Sequence, residues 1–299
     1  MDEKSGLLDI PVISIVLGSY NRHRFLKQTI KSIRNNGIAV PYEIIVIDGG
    51  STDDSMAWLI KQKDIITIIQ HNHGMWKGAQ IERRSWGYFM NLGFKCAKGK
   101  YVMMISDDCI LHPNAVMNGY RLFEAELAKG RKIGAVAYYW RNFPEQEKYW
   151  VGLTLGDKMF VNHGMYLREA FEDVGWIDEN NYRFYHADGD LCLKMWQKGY
   201  ETIESPDSYV EHSVHISKKV RRSNPNKDDW EKYLEKWKGI FYYPEEENIG
   251  GWIEKEYIDP YHTYKTIIKT SPRIAMLYYR NKIYSKLKET IDYFRRIGA

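Results

Sequence analysis

Residues 44–53 read Ile-Ile-Val-Ile-Asp-Gly-Gly-Ser-Thr-Asp. A short run of branched apolar side chains, closed by an acid and two glycines, is a buried strand entering a tight turn. Met56, Leu59 and Ile60 then open a helix. The same step lies upstream, where residues 12–17 form a β-branched run closing at Gly18, and Leu26, Ile30 and Ile33 recur at helical spacing before Gly37. Downstream, the pattern predicts a strand over 65–69, a helix over 86–97, a strand over 100–105, a helix over 113–128 and a strand over 133–139. Alternation of this length predicts an α/β fold with a mainly parallel central sheet and helices on both faces.

Beyond Trp140 the alternation loosens into Gly- and aromatic-rich sequence, with a helical pattern over 190–197 and extended pieces near Glu201 and Tyr209. Residues 217–227 read as a basic loop and 228–238 as a short helix. Ser271 is placed as an N-cap with Pro272 at the first helical position. The long helix that follows carries the stripe Ile274, Leu277, Tyr284, Leu287, Ile291 and Phe294. The division expected is a catalytic domain over 1–227 and a helical C-terminal extension over 228–299.

The composition, 44% hydrophobic and 27% charged over 299 residues, is that of a globular chain able to bury a core. Cys96, Cys109 and Cys192 are widely spaced, which excludes a disulfide scaffold and predicts reduced thiols in a cytoplasmic setting. No apolar run approaches the roughly 20 residues of a membrane span, and the first residues lack the apolar core of a secretory signal. The net charge is +4, yet residues 261–299 alone hold nine Lys or Arg against two acids. Basic character confined to a tail argues against a nucleic-acid partner. Around the apolar stripe, Arg280, Lys282, Lys286, Lys288, Arg295 and Arg296 suit an anionic membrane surface, with packing on the catalytic domain or in an oligomer as the alternative.

In open α/β sheets, ligands bind at the carboxyl ends of strands. Those ends hold Ser19-Tyr20-Asn21, Asp48 and Ser106-Asp107-Asp108. Neither GxGxxG nor GxxxxGK[ST] occurs, which disfavours a dinucleotide-binding dehydrogenase and a P-loop enzyme. Acids at strand tips suit a hydrogen-bonded base or ribose and a divalent cation bridging phosphates.

Ile13-Ser14-Ile15-Val16 leading to Ser19-Tyr20-Asn21-Arg22, and Ile45-Val46-Ile47-Asp48-Gly49-Gly50-Ser51-Thr52-Asp53, resemble family 2 glycosyltransferases of the A-type fold. Asn91-Leu92-Gly93, Ala97, Gly99 and Tyr101 match that family's N-x-G-x-x-x-A-x-G-x-Y stretch, which runs into Ser106-Asp107-Asp108 in the place of its DxD motif. Asp188-Gly189-Asp190-Leu191-Cys192-Leu193-Lys194 resembles a fourth block. The resemblance implies an inverting glycosyltransferase with its nucleotide-sugar half over about 1–110 and its acceptor half over about 111–227. It places Ser19, Tyr20, Asn21, Asn91 and Asp107 along the nucleotide sugar, and Asp48 against a pyrimidine base. The donor implied is a UDP-sugar first and dTDP-rhamnose second, the acceptor a glycan or lipid-linked glycan.

By the same resemblance Asp108 and His212 would hold Mn²⁺ or Mg²⁺, with Ser106 a departure that weakens the usual acid pair. Asp188 is the first candidate for the base and Asp190 the second. Lys218 and Arg221, in the basic loop with Lys219 and Arg222, suit a departing diphosphate. Trp76, Trp140, Trp150 and Trp176 are candidates for stacking on an acceptor sugar. A sugar-nucleotide pyrophosphorylase, which would want a glycine cluster after the first strand, and an inactive carbohydrate-binding scaffold are the alternatives.

Overall fold

The computed structural model describes residues 10–213, 226–246 and 249–297. The chain runs through β1 (Ile13–Ser19), α1 (His23–Arg34), β2 (Tyr42–Asp48), α2 (Ser55–Leu59), β3 (Ile65–Ile69) and the small hairpin β4 (Met75–Trp76) and β5 (Ala79–Gln80). There follow α3 (Trp86–Cys96), β6 (Tyr101–Met104), β7 (Cys109–Leu111), α4 (Ala115–Ala128), β8 (Ile133–Phe143), β9 (Tyr149–Thr154), β10 (Lys158–Phe160), β11 (Gly164–Leu167), α5 (Arg168–Asp173), α6 (Ala187–Gln197) and β12 (Glu201–Ser213). One sheet holds the order β10-β9-β8-β11-β6-β1-β2-β3, with β12 beside β8 and β7, and a late strand, β13 (Gly251–Lys255), beside β9.

The parallel order expected from the alternating pattern is found in β3-β2-β1-β6. Past β6 the sheet becomes mixed: β11 lies antiparallel to both β6 and β8, and β10 and β13 are antiparallel to β9. Five residues separate β8 from β9, too few for the crossover that a parallel pair requires. Ile13, Ile15, Val16 and Leu17 of β1 and Ile44 to Ile47 of β2 are buried, as strands covered on both faces must be. Helix α3 packs on this pair through Gly93, where an added Cβ would lie 2.5 Å from Ile47 Cδ1 and 2.6 Å from Val16 Cγ1.

The first part of the extension expected from residue 228 packs into the body of the domain. The helix Asn226–Trp237 sends Tyr233 and Trp237 into the main core, Asp229 accepts from the backbone N–H of Arg183, Phe184 and Tyr185, and β13 completes an edge of the sheet. These contacts join residues far apart in sequence, so no local break in composition announces them. The terminal helix Pro272–Ile297 starts where expected, with Ser271 Oγ accepting from Ile274 N–H. Ile274 joins Ile110, Phe143 and Ile267 in a small second core, and Asn281 donates to Pro144 O. From Lys282 to Ile291 the helix is exposed throughout, and the expected stripe of Tyr284, Leu287 and Ile291 stands in solvent.

Candidate active site at the strand tips

The register Ser19↔Asp48 sets the tips of β1 and β2 side by side. Asp48 is completely buried. Its Oδ1 accepts from Gly50 and Ser51 N–H, and its Oδ2 from Ser51 Oγ. Asp48, expected to meet a base, is held in place by its own turn, which a glycine in the left-handed region makes possible. A side chain at Gly50 would also meet His71, 2.4 Å away. Asn21 ties the two tips together, its N–H donating to Ser51 Oγ and its Oδ1 accepting from Thr52 and Asp53 N–H. Tyr20 stacks on His73 at 4.2 Å between ring centroids. Ser19, Tyr20 and Asn21 thus do form one rim, with Tyr20 and Asn21 shaping the loop around Asp48.

Asp107 and Asp108, each 2% exposed, follow Ser106 at the next tip. Arg22 Nη1 donates to Asp107 Oδ1 at 2.7 Å and to Asp108 Oδ2 at 2.9 Å. Burial pushes the Asp107 carboxyl up to about 6 against the pull of Arg22, with the neighbouring Asp108 adding to the rise. Ser19, buried beside it at the tip of β1, pulls the Asp107 carboxyl down in turn, so the two tips face one pocket.

On the other side of Asp108, β12 pairs with β7 in the register His212↔Cys109. This brings His212 Nε2 to 3.3 Å from Asp108 Oδ1, setting the two expected metal ligands side by side. His212 Nδ1 meets Asn142 Oδ1 at 2.7 Å, which holds the ring with Nε2 facing the carboxylate. Cys109 Sγ lies 3.8 Å from Asp108 Oδ1 and 3.7 Å from His163 Nε2. Burial, with His212 adding to it, pushes His163 down to about 3, so its imidazole is neutral. Asp108, Cys109 and His212 offer donor atoms within 4.8 Å of one another, which fits a divalent cation. Trp140 packs edge-on against both His163 and His212 and lies 4.0 Å from Trp150, forming the wall. Trp76 stands on the exposed hairpin and Trp176 packs on Phe171, apart from that wall.

Asp188 is one residue removed from this cluster, since Asn162, next to His163, donates to its Oδ2 at 2.8 Å. Its Oδ1 accepts from Gly189 N–H at the start of α6, and burial holds the carboxyl above its ordinary value against that bond. Asp190, the second candidate for the base, is fully buried and accepts from Tyr182 Oη, Trp237 Nε1 and Lys236 Nζ, which makes it the socket for the helix Asn226–Trp237. Asn91, expected along the nucleotide sugar, donates to Ile177 O and Glu179 Oε1 and accepts from Ile177 N–H, pinning α3 to residues 177–179. Lys218 and Arg221 lie outside the described residues.

Arg22, Cys109, Asn142 and Asn162 were not among the residues singled out from sequence, while His163 was weighed there only as a weaker metal candidate than His212. Arg22 directly follows Asn21 and Cys109 directly follows Asp108, so adjacency to the tips was the available signal. Asn142 and Asn162 depend on the pairing of distant strands. A second buried group, His112, Glu211 and Asp259, lies along the same β7–β12 ladder. Its Glu211 is bound by Arg141 through two hydrogen bonds and by Tyr149 Oη, so it is an internal ion pair anchoring the segment around Asp259.

The family model for glycosyl transferase family 2 matches residues 14–175. An uncharacterized glycosyltransferase of Rickettsia prowazekii is 22% identical over 254 residues, covering 77% of this chain and 71% of that protein. The chain spans about a third of the chondroitin synthase of Pasteurella multocida, to which it is 21% identical, and a quarter of a Sinorhizobium fredii relative. Among solved structures, residues 1–349 of S. aureus TarS in complex with UDP-GlcNAc superpose with a TM-score of 0.52 at 14% identity, covering 74% of this chain and 64% of that one. The mannosyltransferase PcManGT of Pyrobaculum calidifontis, in complex with GDP-Man and Mn²⁺, gives 0.54 at 16% identity, covering 75% and 64%. The strand tips, the curled mixed sheet and the family match agree, and the chain belongs to glycosyl transferase family 2, with the A-type glycosyltransferase fold.

Proposed function

We propose that this chain is an inverting glycosyltransferase that moves a sugar from a pyrimidine nucleotide donor, UDP-linked first and dTDP-rhamnose second, to a hydroxyl of a glycan or lipid-linked glycan. The observation that carries this reading is the adjacency of the Asp108–His212 pair to Asp188 through Asn162 and His163. The pyrimidine rests on Asp48 at the tip of β2 and on likeness to the TarS complex with UDP-GlcNAc, and the GDP-Man of the mannosyltransferase is the competing outcome.

Asp188 takes the proton of the acceptor hydroxyl as its oxygen attacks the anomeric carbon, and the bond to the diphosphate breaks on the opposite face, inverting that centre. Asn162 and Gly189 N–H hold the carboxylate in place while burial raises its basicity. A divalent ion, Mn²⁺ or Mg²⁺, would be held by Asp108 and His212 and supplies positive charge to the diphosphate. Arg22 steadies the acid pair from behind, and Lys218 and Arg221 would serve the leaving group. Trp140 and Trp150 offer an apolar wall for a sugar ring.

A panel of UDP-, dTDP- and GDP-sugars, read by thermal shift and by release of nucleoside diphosphate with and without Mn²⁺, tests the reading. Shift and release confined to a pyrimidine donor support it. A response to GDP-sugars alone overturns the donor assignment, and turnover that requires pyrophosphate or a nucleoside triphosphate replaces the transferase by a pyrophosphorylase.

A further inference from the structure

The wall beside His212 continues outward as a row of tryptophans. Trp140 meets the His212 ring edge-on at 5.5 Å between centroids, Trp150 lies 4.0 Å from Trp140, and Trp252 of β13 lies 6.3 Å from Trp150. The strand register explains the row. Trp140, Trp150 and Glu254 stand opposite one another on β8, β9 and β13, and Phe160, Gly152 and Trp252 do so on β10, β9 and β13. Opposed residues point to one face of a sheet, as do residues two apart along a strand, so the four rings share a face with Thr154. Gly152 has no side chain and leaves its place to the Phe160 ring, which a Cβ there would meet at 2.2 Å. Farther along β9, Thr154 Oγ1 lies 3.5 Å from the position a Cβ on Gly189 would take, so the start of α6, with Asp188, sits over this same face.

Trp252 is 65% exposed, and Trp150 and Phe160 are half-buried, so the far end of the row is open to solvent. Polar groups border the rings: Trp150 Nε1 donates to Gln146 Oε1, Glu254 pairs with Lys148 at 3.2 Å, and Asn162 holds Asp188. Flat apolar rings edged by hydrogen-bonding groups match a pyranose, which has an apolar C–H face and a rim of hydroxyls. We propose that Trp150, Phe160 and Trp252 form a platform for an acceptor oligosaccharide of at least two sugar units. The terminal sugar lies against Trp140 and Trp150 with its hydroxyl toward Asp188, and the preceding sugar stacks on Trp252. Strands spaced about 4.8 Å apart give β8, β9 and β13 the width for two such rings. Because β13 comes from the segment expected to be a C-terminal extension, that segment selects the acceptor. This deepens the acceptor part of the proposed function and rests on it for the role of Asp188.

Full-length protein, without nucleotide sugar or divalent ion, is applied to an array of mono- to hexasaccharides built from glucose, galactose, N-acetylglucosamine, N-acetylgalactosamine, rhamnose and glucuronic acid. Oligosaccharides are expected to be retained and the matching monosaccharides not. In calorimetry with the tightest-bound array oligosaccharide, Trp252→Ala loses affinity about tenfold, the measure of one stacking contact. Trp76→Ala, whose ring stands on the hairpin apart from the row, leaves it unchanged. The same oligosaccharide shifts the indole N–H resonance of Trp252 in the unaltered protein, assigned through Trp252→Phe, which decides the matter even if Trp252→Ala does not fold. Retention of monosaccharides alone, no retention at all, or equal affinity in Trp252→Ala overturns the proposal. So does a dimer that Trp252→Ala dissociates while no oligosaccharide binds, which would give the outer edge of β13 to a second copy of the chain. Because neither donor nor metal is present, failure of the donor assay leaves this measurement standing, and absence of oligosaccharide binding leaves the donor assay standing.

Discussion

At the scale of single residues, Asp188 and Asp190 show how two acids at one helix start separate into different tasks. Asp188 is half-buried, with a pKa held above the ordinary carboxylate value by burial and with two partners that position it. Asp190 accepts from a tyrosine, a tryptophan and a lysine, so no oxygen is left to a substrate. Asp188→Asn lowers transfer by ~10²–10⁴-fold while donor affinity, measured by calorimetry, changes little. A base must be ionised to act. In the unaltered enzyme the rate therefore rises with pH through a value above 3.8, and the residual rate of Asp188→Asn lacks that limb. Asp190→Asn acts on stability instead: it weakens the buried hydrogen bonds from Tyr182 and Trp237 and leaves Lys236 without its full counter-charge, and denaturant unfolding reports a loss of about 1–3 kcal/mol. Retained transfer in Asp188→Asn together with a kinetic collapse in Asp190→Asn would reverse the assignment.

At the scale of elements, the ladder between β7 and β12 does two things at once. One end brings His212 to Asp108, and the other buries Glu211 against Arg141, Tyr149 and His112. An ion pair that deep is costly to break from one side. Arg141→Met strands the Glu211 carboxylate and is expected to lower unfolding free energy by about 3–5 kcal/mol, and adding Glu211→Gln recovers part of that loss. A midpoint unchanged in urea would contradict the account. The same ladder explains what could be read in advance. The runs at β1, β2 and β6 and the tips after them are local patterns, so Ser19, Asp107 and Asp108 were legible as a rim. The placing of Cys109 and His163 beside His212 depends on which distant strand pairs with β7, and the strand β12, interrupted by Pro206, has no clean alternation to declare its partners. The backbone contacts of Asp48 and Asn91 were equally hidden, because a polar side chain at a strand or helix end looks the same in sequence whatever it meets.

At the scale of the whole molecule, the terminal helix departs from a body in which the helix Asn226–Trp237 and β13 are otherwise built into the core. Its first turns are anchored through Ile274, Tyr278 and Asn281. Beyond them Ile283, Tyr284, Leu287 and Ile291 are exposed beside Lys282, Lys286 and Lys288. No helix among the described residues is long and apolar enough to cross a membrane. An exposed apolar stripe flanked by lysines gains from lying at a lipid interface, where its side chains leave water and its charges meet anionic headgroups. Two copies packed along the same stripe would instead bring lysine against lysine, which disfavours self-association. Truncation after Asn281 spares the anchored turns. It is therefore expected to abolish cosedimentation with vesicles containing phosphatidylserine while leaving donor hydrolysis in solution within about twofold, since surface changes far from a site rarely alter its chemistry. Cosedimentation of the full chain should weaken as salt is raised, because the headgroup attraction is screened. Equal binding of full and truncated chains, or a shift in molecular mass on truncation with no change in vesicle binding, would assign the stripe to a protein partner instead.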